Sequence, residues 1–161
     1  MSTAHDRLAI HELIHRYWVH YAEGHLDVIR DLLLDDCHIR SRTETGQHPY
    51  EEFIASDHRG RDAAMSWMAD HRAGSPYPLR HHAANVFVRA ERGDEADVTS
   101  YLFVTQIIDR VPSPLSSGIV HWTLVRTPDG YRVKDKDVVL DSITSTEFRA
   151  VDLVSDRMQR W

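Results

Sequence analysis

Residues 96–109 read ADVTSYLFVTQIID. Tyr101, Phe103 and Ile107 occupy alternate positions of this run, and a period of two is that of a β-strand with one face against a core. Residues 79–91, 118–127 and 131–143 have similar strand-like patterns, separated by turn signals such as Pro-Asp-Gly. The second half of the chain therefore predicts a meander of long antiparallel strands, with residues 110–117 as a loop because they contain two prolines.

The first half of the chain has the period of helices. Its first apolar stripe follows the i, i+3, i+4, i+7 spacing of one buried helix face, at Ile10, Leu13, Ile14, Tyr17 and Tyr21. Thr3 or Ser2 can cap this helix, and Gly24 can end it. Shorter helical patterns follow at residues 26–33 and 60–72. Helices followed by strands indicate an α+β fold, and 161 residues suit one domain, residues 1–161, with a weakly helical tail from residue 146.

Composition narrows the classes of partner. The chain is 42% hydrophobic with a formal net charge of −6 and no basic block, so we expect neither nucleic-acid nor anionic-membrane binding. Cys37 is the only cysteine, so the fold must form without an internal disulfide. No apolar run reaches the length of a membrane span, and the N-terminal residues do not resemble a secretion signal. The expected location is the cytoplasm.

Four segments carry a resemblance to a known family. Residues 6–17, DRLAIHELIHRY, resemble the first helix of SnoaL-like proteins of the nuclear transport factor 2-like superfamily, and residues 24–36 resemble its second helix and the turn that follows. Residues 80–86, RHHAANV, are similar to the family's Arg-His-x-x-x-Asn strand, and residues 129–133 resemble its penultimate hairpin. The resemblance implies a cone-shaped, curved antiparallel sheet whose concave face is covered by N-terminal helices, a cystatin-like α+β roll. A pocket would lie between the first helix and the sheet.

Relatives of this kind include scytalone dehydratase, bile-acid dehydratase, polyketide cyclases and ketosteroid isomerase, and also the mainly structural small (β) subunits of ring-hydroxylating dioxygenases. The resemblance thus implies a cofactor-independent lyase or isomerase, catalysing dehydratase-type elimination or cyclisation. Its substrate would be a small apolar, aromatic or polycyclic hydroxylated compound. The alternatives are a non-catalytic β subunit-like partner of a dioxygenase or a ligand-binding module. The fold alone does not decide between them, because one fold houses many activities. We favour the enzyme, because elimination needs a general base and a donor to the substrate oxygen, and the sequence offers a candidate for each.

The resemblance also implies roles for residues. His82 would be the general base; the alternative is that it is a structural histidine held by hydrogen bonds. Tyr17 would polarise the substrate oxygen; the alternative is that it is an aromatic residue of the core. The predicted substrate-binding residues are Tyr21, Tyr101, Phe103, His121, Trp67 and Met68. One position departs from the dehydratase pattern: Ala22 stands where those relatives carry an aspartate that orients the histidine. Three alternatives follow: Glu23, Asp57 or Glu44 supplies that acid, the reaction does not need it, or the chain catalyses no reaction.

Other kinds of site find little support in the sequence. His11 and His15 are spaced as two metal ligands on a helix, but they lie on its predicted exposed face, so no metal is expected. Glycines are scattered, and no phosphate-binding loop or other cofactor motif is present. Residues 43–58 are polar and irregular and could cover the pocket mouth. An open curved sheet leaves an apolar outer face, so we expect a homodimer or homotrimer.

Overall fold

A computed structural model describes residues 3–147 and residue 150 of the chain. It confirms the α+β class, with helices concentrated in the first half and long strands in the second. The predicted tail from residue 146 lies almost wholly outside the described residues. In chain order the elements are α1 Ala4–Glu23, α2 Leu26–Leu32, β1 Leu33–Thr43, α3 Glu51–Ile54, β2 Ser56–Arg59, α4 Arg61–Gly74, β3 Leu79–Arg92, β4 Glu95–Ile108, β5 Val111–Thr127 and β6 Gly130–Leu140.

Helix α1 begins and ends where local sequence signals place it. Thr3 is the N-cap, and its side chain and backbone form a reciprocal capping box with Asp6. The Asp6 carboxylate also accepts a hydrogen bond from Arg126 of β5, so the start of the helix is tied to the sheet. Gly24 ends the helix in the left-handed conformation, with φ of 74°.

The six strands form one sheet in the order β2-β1-β6-β5-β4-β3. All neighbours are antiparallel except β1 and β6, which are parallel. Register shifts interrupt most of the pairings, and bulges of this kind increase strand bending. Helix α1 packs against β3 and β6, and α4 packs against β1 and β2. The helices therefore cover the concave face, as expected.

Residues 111–117 are strand, not loop. Pro112 and Pro114 pair with β4, opposite Ile107 and Thr105, after a tight turn in which Asp109 and Arg110 have positive φ. The pairing of β5 with β6 begins only at Gly118, so the preceding residues have one free edge. A proline lacks an N–H and is tolerated at such an edge, which is why two prolines do not end the strand here.

The inner face of the sheet and the helices form one core. Its largest fully buried side chains include Trp122, Tyr17, Ile10, Ile14 and Leu124. Within the described residues, no helix combines the length and the apolar character that a membrane span requires.

Gly118 marks a close approach of β5 and β6. A Cβ built there would overlap the backbone oxygen of Val139, so Gly118→Ala forces the strands apart and should lower the free energy of unfolding by about 3 kcal/mol. Gly93→Ala is the matched control: nothing lies within 4 Å, and only its positive φ opposes a side chain, at about 1 kcal/mol. Urea denaturation of both variants checks this. Equal destabilisation would contradict the close approach.

Candidate active site

A cavity of about 500 Å³ lies between α1, α4 and the concave face of the sheet. Residues of the segment between β1 and β2, which sequence analysis placed near the pocket mouth, line one side of it through His48, Tyr50 and Phe53. Most of the lining is apolar and aromatic, including Trp18 and Trp67. Cavities of this size and composition are typical of small-molecule sites.

Of the protonatable side chains that line this cavity, four come from helices and strands, one from each of four elements. Tyr21 comes from α1, His71 from α4, His81 from β3 and Lys136 from β6. Because each element contributes one group, the set exists only in the folded chain. Of these four, only Tyr21 was among the predicted site residues.

Tyr21 and His71 form a pair. The Tyr21 Oη and His71 Nδ1 atoms are 2.5 Å apart, and the imidazole also stacks against Phe53 and Trp67, with ring centroids 4.6 and 4.8 Å away. Burial raises the pKa of Tyr21 above its usual range and lowers the pKa of His71 to about 4. Both groups are therefore uncharged near neutral pH, and the pair can donate or accept a hydrogen bond without charge.

His81 lies flat against an aromatic ring. Its centroid is 5.0 Å from that of Trp18, with an interplanar angle of 5°. Its Nδ1 atom is buried and has no hydrogen-bond partner among the described residues. Burial, and secondarily the charge of Lys136, lower the pKa of His81 to about 3. The imidazole is thus neutral near pH 7, and one of its ring nitrogens is a hydrogen-bond acceptor.

Lys136 is a buried amine at the inner wall. The residue is 4% exposed, and its Nζ donates a 2.7 Å hydrogen bond to Tyr17 Oη. Nζ lies 4.6 Å from the ring centroid of Tyr17, 5.0 Å from that of Trp18 and 5.9 Å from that of Tyr21. Burial lowers the pKa of Lys136 to about 7, and no described carboxylate forms an ion pair with it. A sizeable fraction of this amine is therefore neutral at pH 7.

Tyr17 lies behind Lys136 and is fully buried. Its hydroxyl accepts from Lys136 and donates to Met68 Sδ at 3.2 Å, so both of its hydrogen-bonding functions are used by protein groups. Neither Tyr17 nor Met68 is among the residues that line the cavity, whereas Trp67 is. The structure thus places Tyr17 as a support for the amine.

The structure corrects the position of the strand histidine. His82 is exposed on the outer face of the sheet, with Nε2 3.1 Å from Thr105 Oγ1, while its neighbour His81 faces the cavity. Adjacent strand residues point to opposite faces, so a prediction one residue out selects the wrong one. The Arg-His-x-x-x-Asn spacing holds the clue: Asn85, with φ of 52°, is four residues after His81, not His82.

Three other predicted contacts also lie outside the cavity. Tyr101 and Phe103 are 48% and 45% exposed on the outer face, because the inner positions of β4 are taken by Leu102 and Val104. His121 lines a separate outer groove with charged residues, opposite Asp137 of β6. The large aromatic residues of β4 therefore point to the outer face of the sheet. The smaller aliphatic residues that alternate with them point inward and leave room for the cavity.

The missing helix-one aspartate has no replacement in the cavity. Ala22 is buried, Glu23 pairs with Arg80 at 2.9 Å, and Asp57 lies 2.6 Å from His38. None of these acids, nor Glu44, is among the lining residues; the only described carboxylate there is that of Asp141, which is exposed. No group of three or more potential metal ligands occurs in the part of the chain that the structure describes.

Sequence reasoning missed His71 and Lys136. Lys136 shares the strand parity of Val138 and Leu140, so a lysine on an apolar face was the available signal. His71 follows Trp67 by one helical turn, which places it on the same face of α4. Their convergence depends on long-range pairing and could not be derived from either segment alone.

Comparisons with known proteins agree with this architecture. A family model described as a SnoaL-like domain matches residues 2–137. Among solved structures, an NTF2-like protein with a cystatin-like fold from Novosphingobium aromaticivorans has 24% identity and a TM-score of 0.69, covering 84% of this chain and 82% of that one. None of the curated proteins matches this chain in sequence.

Two further structures from the same organism represent different activities. A candidate scytalone dehydratase has 19% identity and a TM-score of 0.66, covering 89% of both chains. The β subunit of a candidate aromatic-ring-hydroxylating dioxygenase has 14% identity and a TM-score of 0.70, covering 88% of this chain and 93% of that one. At these identities the likeness shows the fold alone.

The depressed pKa of Lys136 predicts a pH-dependent stability. Between pH 7 and 9 the unfolded chain, with a lysine pKa of 10.5, binds a proton that the folded chain is losing, so the free energy of unfolding rises with pH. Lys136→Met should flatten this rise and stabilise the protein at pH 7 by up to about 4 kcal/mol.

Urea denaturation at pH 7, 8 and 9 checks this prediction. The window stops at pH 9 because burial raises the pKa of Cys37 to about 11, which acts with the opposite sign above that pH. Lys134→Met, at a surface lysine paired with Glu95, is the matched control and should keep the wild-type slope. Identical slopes in the wild type and Lys136→Met would show that the buried amine stays protonated.

Proposed function

Because the chain belongs to the SnoaL-like domain family, we propose that it is a cofactor-independent lyase or isomerase that moves protons on a small molecule held in the cone. The reaction is a dehydratase-type elimination or a cyclisation. One observation carries this proposal: Tyr21, His71, His81 and Lys136 converge on one mostly apolar cavity. These groups can remove a proton, return it and stabilise an oxyanion without a further reagent.

In the elimination, His81 is the general base in place of His82. Its neutral imidazole takes a proton from the carbon next to a substrate carbonyl, and the electron pair moves onto the carbonyl oxygen. Hydrogen bonds from Tyr21 or the Lys136 ammonium stabilise that oxygen. The electron pair on oxygen then re-forms the carbonyl, a C=C bond forms between the two carbons, and the hydroxyl at the next carbon leaves as water with the proton that His81 returns. An imidazolium beside a buried cation is a strong acid, which favours this return.

The lining supports an apolar aromatic substrate. The rings of Trp18, Phe53 and Trp67 face the cavity, and flat rings of this kind stack on aromatic or polycyclic ligands. The volume of about 500 Å³ exceeds that of a bicyclic compound and admits a larger polycyclic one. A hydroxylated aromatic or polycyclic ketone therefore suits the site.

A second candidate function is a non-catalytic small subunit or ligand-binding module. Ala22 favours it, because the acid that charges and orients the histidine in dehydratases is absent. In that case the chain would assemble with a larger catalytic chain of a ring-hydroxylating dioxygenase. The placement of Tyr21, His71, His81 and Lys136 around one cavity favours the enzyme instead, since elimination needs a base and a donor beside the substrate.

We also propose that the chain forms a homodimer or homotrimer in the cytoplasm. Tyr101, Phe103, Ile107 and Ile108 leave 45–50% of their surfaces exposed on or near the outer face of β4. Sedimentation velocity should detect an oligomer, and Tyr101→Glu with Phe103→Glu should shift it towards monomer by placing charges on that face. A wild-type monomer at every concentration would contradict this part of the proposal.

The catalytic proposal predicts activity on two probes. With 3-hydroxy-1-tetralone, loss of water gives 1-naphthol, which absorbance follows directly. With 1-tetralone in D₂O, proton removal gives deuterium exchange at carbon 2, followed by mass spectrometry. We expect His81→Gln to lower both rates by about 10²–10⁴-fold, because a glutamine cannot accept the proton.

His82→Gln is the matched control, since it changes the neighbouring residue on the opposite face. It should leave both rates close to those of the wild type. Loss of activity in His82→Gln but not in His81→Gln would overturn the assignment of the base. Absence of both reactions in a folded wild-type protein would favour the non-catalytic candidate.

A further inference from the structure

The chain uses lysine sparingly. Of its 19 basic residues, only Lys134 and Lys136 are lysines, and the others are arginines. One of these two lysines is in the cavity wall. An arginine would supply a positive charge there and would hold it at any physiological pH, but a guanidinium cannot lose its proton and act as a nucleophile. A primary amine in this position therefore offers chemistry that the common basic residue of this chain does not.

Among the described residues, the groups that surround Lys136 include no counter-ion for an ammonium. The groups that face it are Tyr17, Trp18 and Tyr21 from α1, Cys37 from β1, His71 from α4 and His81 from β3. None of them is a carboxylate. The histidines are neutral, and burial keeps the phenols and the thiol protonated. An amine that loses water and gains no counter-ion keeps an available lone pair.

The position of Nζ is fixed. It donates to Tyr17 Oη, which is itself held by its hydrogen bond to Met68, and three aromatic rings surround it. The flexible lysine stem is thus immobilised in the wall of the cavity, with little remaining entropy to lose on reaction. A carbonyl group that enters the cavity meets an oriented amine.

We propose that Lys136 is a nucleophile that forms an imine with an aldehyde or ketone bound in the cavity. The Nζ lone pair attacks the carbonyl carbon, and the carbonyl π pair moves to oxygen; nitrogen gives up one proton and oxygen takes one, which gives a neutral carbinolamine. The nitrogen lone pair then forms C=N as the C–O bond breaks, the hydroxyl takes a second proton and leaves as water, and nitrogen gives up its second proton. The net reaction is amine plus carbonyl giving imine plus water, without oxidation or reduction.

This inference deepens the proposed function and rests on it only for the choice of a carbonyl substrate. A protonated imine withdraws electrons more strongly than the carbonyl it replaces, so it would acidify the proton that His81 removes. The Tyr21–His71 pair is available to pass a proton to the departing water. The substrate class becomes narrower: a carbonyl compound with an acidic neighbouring C–H bond.

Reductive trapping tests the inference on the wild-type protein. Propanal, benzaldehyde and 2-naphthaldehyde are each incubated with the full chain and sodium cyanoborohydride at pH 7, and peptide mass mapping locates the alkylated amine. At pH 7 the neutral fraction of Lys136 greatly exceeds that of Lys134, whose pKa is raised by Glu95, so Lys136 should be labelled on the order of 100-fold faster. Lys134→Arg should keep this fast labelling, and Lys136→Arg should lose it.

Label confined to Lys134 and the N-terminal amine with all three aldehydes would overturn the inference, since propanal is far smaller than the cavity. The result does not depend on whether Lys136→Arg folds, because the labelled position is mapped in the wild type. Dehydration of 3-hydroxy-1-tetralone without labelling would remove the imine and leave the proposed function standing. Labelling without dehydration would support the imine and count against the elimination.

Discussion

The hydrogen bond from Lys136 Nζ to Tyr17 Oη joins the first helix to the last strand at the centre of the cone. The two residues are 119 positions apart, and each is buried. Helix α1 must lie close against β6 for this bond to form, and that placement brings Trp18 and Tyr21 to the cavity. The same bond sets the direction of the amine. The fold and the candidate chemistry thus share one contact.

The polarity of the cavity follows from what surrounds that contact. The described lining combines the nitrogen bases His48, His71, His81 and Lys136 and the phenols Tyr21 and Tyr50 with a single carboxylate, Asp141, which is exposed. Burial disfavours every charged form in the interior, so its groups are held close to neutrality. A molecule that develops negative charge on oxygen would be stabilised there, whereas a cationic ligand would find no buried counter-ion.

The fold and the site differ in how far the sequence predicts them. The bounds of α1 follow from Thr3 and Gly24, which act within a few residues, and the long strands follow from alternation. The two prolines of β5 led to the wrong prediction of a loop, because only the pairing with β6 shows that one edge of this segment is free and tolerates proline. His82 was chosen for a related reason. Alternation along a strand does not say which of two neighbouring residues faces the core, and only the packing against α1 shows that His81 does. To predict Lys136 as a site residue, one must know both the order of the strands in the sheet and the position of α1 against it.

The cavity between α1, α4 and the sheet has a consequence for the search for a ligand. A guest in this cavity binds the native state alone, since the unfolded chain has no cavity. At a concentration 100-fold above its Kd, such a guest would stabilise the fold by about 2.7 kcal/mol. Melting temperature therefore reports occupancy of the cone, so ligands can be sought from a compound library before any turnover is known.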